Sequence, residues 1–298
     1  MTNNLKPIGL VVDEGADLPR EITERNLIDT VSFKADWPEV ENLPGENIYQ
    51  KIREAEKRGI KSFAKTSQPS PKDFLTAFRK KLNEFEIILC ITATSKHSGT
   101  YNSAIQAKTF LDTEEKNRVW VFDSLNVTGG EGLLVLKAIE LIEKGKEKME
   151  EIIKELEIFR SKINFRVIFK DPKWVEASGR IPHLLADLIR RLGGAGIRPL
   201  LGLKEGKIKL VGVKKGAKDI RNALFKEIEE KTRKLRNQGK RIKAVITHAD
   251  NLNEAQELKE MIEKNLEGIE IVFLNLINNI VGTLAGPDAM ALAWVETE

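Results

Sequence analysis

Two short strings in this chain carry hydroxyl and small residues in a pattern that could grip an anion. Thr66 and Ser67 stand in KTSQPSP, and Ser98, Gly99 and Thr100 stand in SKHSGTYNSA. Hydroxyls and backbone amides at the head of a helix form a donor set with a positive dipole end behind it. Neither string holds a lysine cluster, whereas polyphosphates usually recruit lysine, arginine or a metal. A single carboxylate suits such a neutral set better, although Arg180 and Arg198 could enter from elsewhere. Plain helix capping uses the same residue types, so each string taken alone also reads as a structural turn.

An enzyme would need more. His97, His183 and His248 are the only histidines, and they fall in three separate segments. No HExxH, no CxxC and no His–carboxylate pair at metal spacing occurs, so no metal site is expected. His97 adjoins Ser98, but neighbours on a turn usually point apart, and no GxSxG elbow supports a serine nucleophile. The glycines of VTGGEG, residues 127–132, match neither GxGxxG nor a GK[ST] ending, and close packing of a turn explains them. Asp13, Asp123 and His248 remain as strand-end groups that an enzyme acting on a small anion could use as a base. The expectation is no catalytic residue and no cofactor.

The elements that must position the two strings show strong periodicities. Ser70, Pro71 and Asp73 read as cap, first helical residue and capping partner. Phe74, Phe78 and Leu82 place one face of that helix in a core. Ile87–Ala93 is a near-continuous apolar run, as expected of a parallel strand covered on both faces. Ser98, Gly99 and Thr100 then lead into a helix begun by Tyr101 and Asn102. Loops after strand C-termini line the ligand crevice of open α/β sheets, which is where these turns fall. Ile8–Val12 and Arg118–Asp123 are further buried strands, and Val31–Phe33 suggests another. Residues 35–46, with Trp37 and two prolines, read as a surface loop or lid. An apolar helix is expected over Leu133–Ile142, and a charged connecting helix over 146–162.

The second half differs in texture. A strand at Phe165–Phe169 precedes a helix over 175–192 interrupted by Gly179 and Pro182. A hairpin follows at 199–213, turning at Gly206. A helix is expected over 217–237, a strand over 242–247, a helix capped by Asn253, a strand over 269–276 and an apolar closing stretch from Ile280 to Trp294. The β-α alternation of the first half implies a parallel-sheet α/β domain, and the second half an α+β domain with a mixed or antiparallel sheet. The division falls at 1–161 and 162–298.

The chain has 298 residues, of which 41% are hydrophobic, enough for two cores. Its 49 basic and 45 acidic residues leave a net charge of +4, a mixed surface. The basic run Lys231–Lys243 lacks interleaved aromatics, so a solvated helix end explains it better than nucleic-acid binding. No apolar run approaches the length of a membrane span. A lone cysteine, Cys90, sits inside an apolar strand. With an N-terminal sequence that has no secretory pattern, it gives an expectation of cytoplasmic residence.

Taken together, TSQPSP and SGTYNSA resemble the signature segments of the DegV family of bacterial lipid-binding proteins. The likeness extends to Asp13 with Asp17-Leu18-Pro19, to VFDS with its glycine-rich turn, to SGRI at 178–181 and to VGTLAGPDA at 281–289. The resemblance implies a two-domain DegV-like fold and a non-catalytic carrier of a long-chain fatty acid. It implies that the lipid lies between the domains, its carboxylate held by Thr66 and Ser98, with Ser67, Gly99 and Thr100 beside them. Arg180, Lys215 and Leu284 are secondary candidates by the same likeness. It also implies a partner, a fatty acid kinase subunit to which the lipid is presented. The chain departs from the pattern where Leu284 replaces the histidine of a GTHxGPGA-like string, Asp288 replaces the second glycine of its GPGA end, and Lys214 and Lys215 stand in an arginine-rich segment. Those departures bear on kinase coupling more than on lipid binding. Two other classes stay open: an enzyme for a small anionic substrate in the same crevice, and a regulatory interaction protein using the basic helix.

Overall fold

In the computed structural model, which describes residues 5–297, the chain divides into two units. Its elements run β1 (Lys6–Asp13), a 3-10 turn (Glu14–Ala16), α1 (Arg20–Arg25), β2 (Asp29–Val31), β3 (Lys34–Asp36), α2 (Pro38–Glu41), α3 (Ile48–Lys57) and β4 (Lys65–Ser67). Then follow α4 (Pro71–Leu82), β5 (Phe85–Thr92), α5 (Thr100–Thr109), α6 (Thr113–Arg118), β6 (Val119–Asp123), α7 (Gly129–Glu143) and α8 (Met149–Lys162). The remainder is β7 (Asn164–Ile168), α9 (Lys173–Ala177), α10 (His183–Gly194), β8 (Ile197–Lys204), β9 (Lys207–Lys215) and α11 (Ile220–Asn237). It closes with β10 (Arg241–His248), α12 (Leu252–Asn265), β11 (Ile269–Leu276), α13 (Asn279–Ala285) and β12 (Met290–Thr297).

The first unit comprises the chain up to Lys34 together with Ser67–Lys162. Its sheet has the order β2-β1-β5-β6, every pair parallel. Val11, Ile88 and Cys90 of the sheet share a core with Phe74, Phe78 and Leu82 of α4 and Ala104 and Ala107 of α5. The α4 face follows its four-residue apolar spacing, and its start carries the full capping box: Ser70 accepts from the Asp73 amide, while Asp73 accepts from the Ser70 amide. The glycine-rich string is not a loop before an apolar helix. It is the first turn of α7, and a Cβ on Gly130 would stand 2.5 Å from Oδ1 of Asn126. The α8 helix is a member of this unit, burying Met149, Ile152 and Leu156.

The second unit comprises Ala35–Thr66 and the chain from Ile163 onward. Its six strands have the order β11-β10-β12-β7-β8-β9; β10 and β11 are parallel, the other pairs antiparallel. Both halves thus have the expected classes, a parallel α/β sheet and a mixed sheet. The boundary differs from the division at 161/162, since residues 35–66 go with the later half. The reason lies in α3. Tyr49 is fully buried and donates to the Ile277 carbonyl at 2.9 Å, and Arg53 bonds Asp250 and Asp288. Trp37 is correspondingly not on a surface lid. It is 8% exposed, packs with Val40, Ile52 and Trp174, and donates to Ser62. The apolar closing stretch divides: 279–285 is helical, and Met290–Thr297 is a strand flanked by β10 and β7. Asn251, not Asn253, is the residue at the N-cap of α12.

Candidate functional site

Each unit presents its own share of the expected residues. In the first, β5 runs out at Thr92, and the turn 93–99 delivers Ser98 to the head of α5. The helix begins at Thr100, one residue before the sequence suggests. Gly99 is its N-cap and has no side chain to cap the first turn, so only the Thr100 amide is taken by a neighbouring side chain. Ser98 and Thr100 face one another, their hydroxyl oxygens 2.6 Å apart, and the Thr100 amide donates to the Ser98 oxygen at 3.3 Å. Thr100 is fully buried and Ser98 half-buried. Either hydroxyl can be the donor of that pair; when Thr100 donates through both its amide and its hydroxyl, the Ser98 proton is left to turn outward. A hydroxyl that accepts while it donates is a stronger donor, because each bond polarises the next.

Within the same unit the structure brings Gln68 of the first string against the second. A Cβ on Gly99 would stand 2.8 Å from Nε2 of Gln68, so glycine there permits the approach. Gln68 was not singled out from the sequence. The signal was present in its place between Ser67 and Pro69, where a long amide has no capping role. Ser67 itself ends β4 and is exposed.

The second unit holds Thr66, Arg180, Lys215 and Leu284. Thr66 is half-buried on β4, and Nη2 of Arg180 lies 3.5 Å from its hydroxyl. Arg180 reaches there from the turn between α9 and α10, where its Nη1 donates to the Ser178 carbonyl. Burial lowers its guanidinium from the ordinary arginine value, the direction expected of a cation short of counter-charge. Lys215 ends β9 exposed, and Leu284 is half-buried on α13. Behind this part of the unit stands Trp174 of α9. Phe63 meets it edge-on with ring centroids 5.2 Å apart, and Trp37 lies 6.0 Å away. Gly286, with φ of 72°, sits so close to the indole that an added Cβ would fall 2.0 Å from its Cδ1.

The groups that could serve as a base are engaged elsewhere. Asp13 is fully buried and accepts from the amides of Gly15 and Ala93 at 2.8 and 2.7 Å. Burial pushes its carboxyl up to about 7, against the lowering effect of those two amides. Asp123 accepts from the amides of Ser95 and Leu125. His248 is 5% exposed, accepts from the Asn251 amide, and is lowered by burial. Each holds a turn. Among the described residues no group of three or more His, Cys, Asp or Glu side chains is placed to hold a metal ion. A cleft in the second unit, about 650 Å³, is lined mainly by charged and amide side chains such as Lys170, Arg198, Asp250 and Asp288. Of the residues weighed from the sequence as anion ligands it contains only Arg198, and neither hydroxyl-rich turn reaches it.

Comparison with known proteins decides the family. The model of the DegV family, described as an uncharacterised protein family, matches residues 7–297. The chain belongs to the DegV family. A DegV relative from Thermotoga maritima, described as a fatty acid-binding protein, is 28% identical over 293 residues, covering 94% of each chain. A Thermus thermophilus DegV structure described by its fatty acid binding superposes with a TM-score of 0.80 at 25% identity, covering 98% of this chain and 100% of its own. A DegV lipid-binding protein of Thermotoga maritima gives 0.76 at 28% identity, with 99% of both chains covered. Against the DegV motif, the place of Asp288 now has a physical reading. Its φ is 64°, a left-handed conformation that glycine adopts freely and that aspartate tolerates better than most residues.

Proposed function

We propose that this protein carries a long-chain fatty acid and performs no chemistry of its own. The observation that carries the reading is the head of α5, where the Ser98 and Thr100 hydroxyls pair at a helix start that has no side chain at its N-cap. It is joined by membership of a family whose relatives are described as fatty acid-binding. A carboxylate is the ligand group such a neutral set fits. In the second unit, Thr66 beside Arg180 offers a hydroxyl and a guanidinium with the same preference. Neither pair contains a carboxylate or an imidazole that could serve as a base.

Energetics divide the work. A tail of about fifteen methylenes buried at about 0.8 kcal/mol each gives on the order of 10 kcal/mol gross. One hydrogen bond to a charged group contributes roughly 1.5–3 kcal/mol. The tail sets affinity, and the hydroxyls set which end is held and how. We further propose that a fatty acid kinase subunit is the partner this presentation serves in the family, and that Leu284 and the Lys214–Lys215 pair alter or remove that coupling here.

A denaturing mass spectrum of lipid extracted from the freshly purified protein is the test. A fatty-acid peak at near-stoichiometric amount supports carriage. Absence of lipid, with turnover of a small organic acid, replaces it with the enzyme reading.

A further inference from the structure

Trp174 makes more contacts of consequence than a core residue on a five-residue helix requires. Its ring is met by Phe63, three residues before Thr66, and by Trp37, which is pinned by its bond to Ser62. Its other contact is the backbone of Gly286, two residues beyond Leu284, at a distance that excludes any side chain. The same α9 ends at Ala177 and hands the chain to Ser178, whose carbonyl holds Arg180. Ser178 is itself tied back, its amide bonding the Trp174 carbonyl at 3.2 Å. Lys173 adds an ion pair to Glu56 at 2.5 Å and lies over the indole at 4.9 Å. Two segments far apart in sequence, around residues 63–66 and 284–286, thus meet one ring, and the helix that carries the ring leads directly into 178–180.

We infer that Trp174 is the positioning residue for the Thr66–Arg180 pair, fixing the hydroxyl and the guanidinium at the spacing that recognises an acid group. The inference rests on the fatty-acid reading above. It assigns Trp174 a share in choosing acid over other lipids, though it touches no carboxylate. The physical ground is that Thr66 and Arg180 meet at 3.5 Å, a loose contact that cannot hold either side chain in place by itself. Their relative position is set through the backbone segments that carry them. Phe63 meets the indole directly, while the segment of Arg180 follows from the end of α9, the helix that the indole anchors against Phe63, Trp37 and Gly286.

The test compares palmitate with hexadecanol, lipids of equal tail but different head, binding to wild type, Trp174→Leu, Trp174→Phe and Arg180→Ala. Trp174→Leu is expected to cut the preference for the acid by about tenfold, the scale of one charge-assisted hydrogen bond, while leaving the alcohol affinity unchanged. Trp174→Phe keeps a ring for Phe63 to meet and is expected to recover most of the preference. In the Arg180→Ala background, Trp174→Leu should add no further loss. Equal losses for acid and alcohol, or additive losses in the double variant, would overturn the proposal in favour of a general packing role. Hydrogen exchange without lipid gives a second readout. Faster exchange confined to residues 63–67 and 178–181 in Trp174→Leu supports the assignment, and unchanged exchange there overturns it. If wild type binds neither lipid, it is the carriage reading that falls, and the exchange result still decides whether Trp174 sets the pair.

Discussion

Arg53 and Asp288 are joined at 2.7 Å, and the same guanidinium also bonds Asp250. Both aspartates are non-glycine residues in the left-handed region, with φ of 64° and 61°. One cation therefore holds two strained turns, the one after β10 and the one before β12. The pairs are a quarter to a third exposed, so solvent weakens them. Arg53→Met is expected to cost about 1–3 kcal/mol. Asp288→Gly, which removes the strain and the need for restraint, should recover part of that loss. Urea unfolding of the double-variant cycle measures the coupling, and strict additivity would show the pair to be independent.

At the head of α5, the buried Thr100 is expected to act only through Ser98. Thr100→Val keeps shape but removes the hydroxyl, and should weaken fatty-acid binding by a few-fold with little change in folding stability. Ser98→Ala removes the outward donor and should weaken it by up to about tenfold. The two effects should not add, because both act through one proton. Calorimetric titration with palmitate reads each directly.

In the first unit, Glu131 is fully buried on the first turn of α7, and neither of its oxygens accepts a hydrogen bond from a described residue. Burial, then the charges of Asp13, Asp17 and Asp123, push its carboxyl well above the ordinary value. Asp13 moves the same way, from 3.8 to about 7. A carboxyl raised on folding binds its proton more tightly in the folded state. Its stability contribution is complete below pH 4 and is lost as pH rises through about 7. Wild type is thus expected to melt higher at pH 5.5 than at pH 8. Glu131→Gln, neutral and of equal size, should raise the pH 8 melting temperature and flatten the slope. A lower melting temperature at every pH would mean that the charge is needed.

The second unit responds in the opposite sense at lower pH. Glu227 is 2% exposed and lies 2.8 Å from Arg166 and 2.9 Å from Lys214. Burial would raise its carboxyl, but the bonds from Lys214 and Arg166 outweigh that and hold it below 4.5. A depressed carboxyl contributes stability above its unfolded value and loses it as pH falls through the folded one. Acid unfolding of this unit should therefore begin below about pH 4.5. Glu227→Ala leaves the buried Arg166 without a carboxylate partner, while Lys214 keeps Glu230, and is expected to cost about 3 kcal/mol. Glu227→Met, which fills the space but still strands Arg166, should fare no better.

Much of this was legible in residue order because the physics is local. The α4 helix announces its start through Ser70, Pro71 and Asp73, and its core face through Phe74, Phe78 and Leu82. The β5 strand announces double burial by its unbroken apolar run. Less local facts were hidden. MALAWVET is rich in residues of high helix propensity, and only its place between two antiparallel neighbours makes it a strand. Trp37 among prolines and acids has the texture of a loop, yet an indole 25 residues before its bonded serine finds a core that no window of sequence displays. At the site, the hydroxyl types and their turns were readable. The pairing of Ser98 with Thr100 and the approach of Gln68 to Gly99 are tertiary and were not.

β12 is the last-made of the six strands in its sheet, yet it occupies an inner position, with β11 and β10 to one side and β7, β8 and β9 to the other. A ribosome emitting this chain would release two half-sheets with nothing to stitch them until residue 290 emerges. The early segment 35–66, which belongs to the same unit, must wait longest of all. The first unit has all of its segments by residue 162 and faces no such delay. The molecule should thus mature in two acts, and a nascent chain halted before β12 would expose raw strand edges to any chaperone nearby.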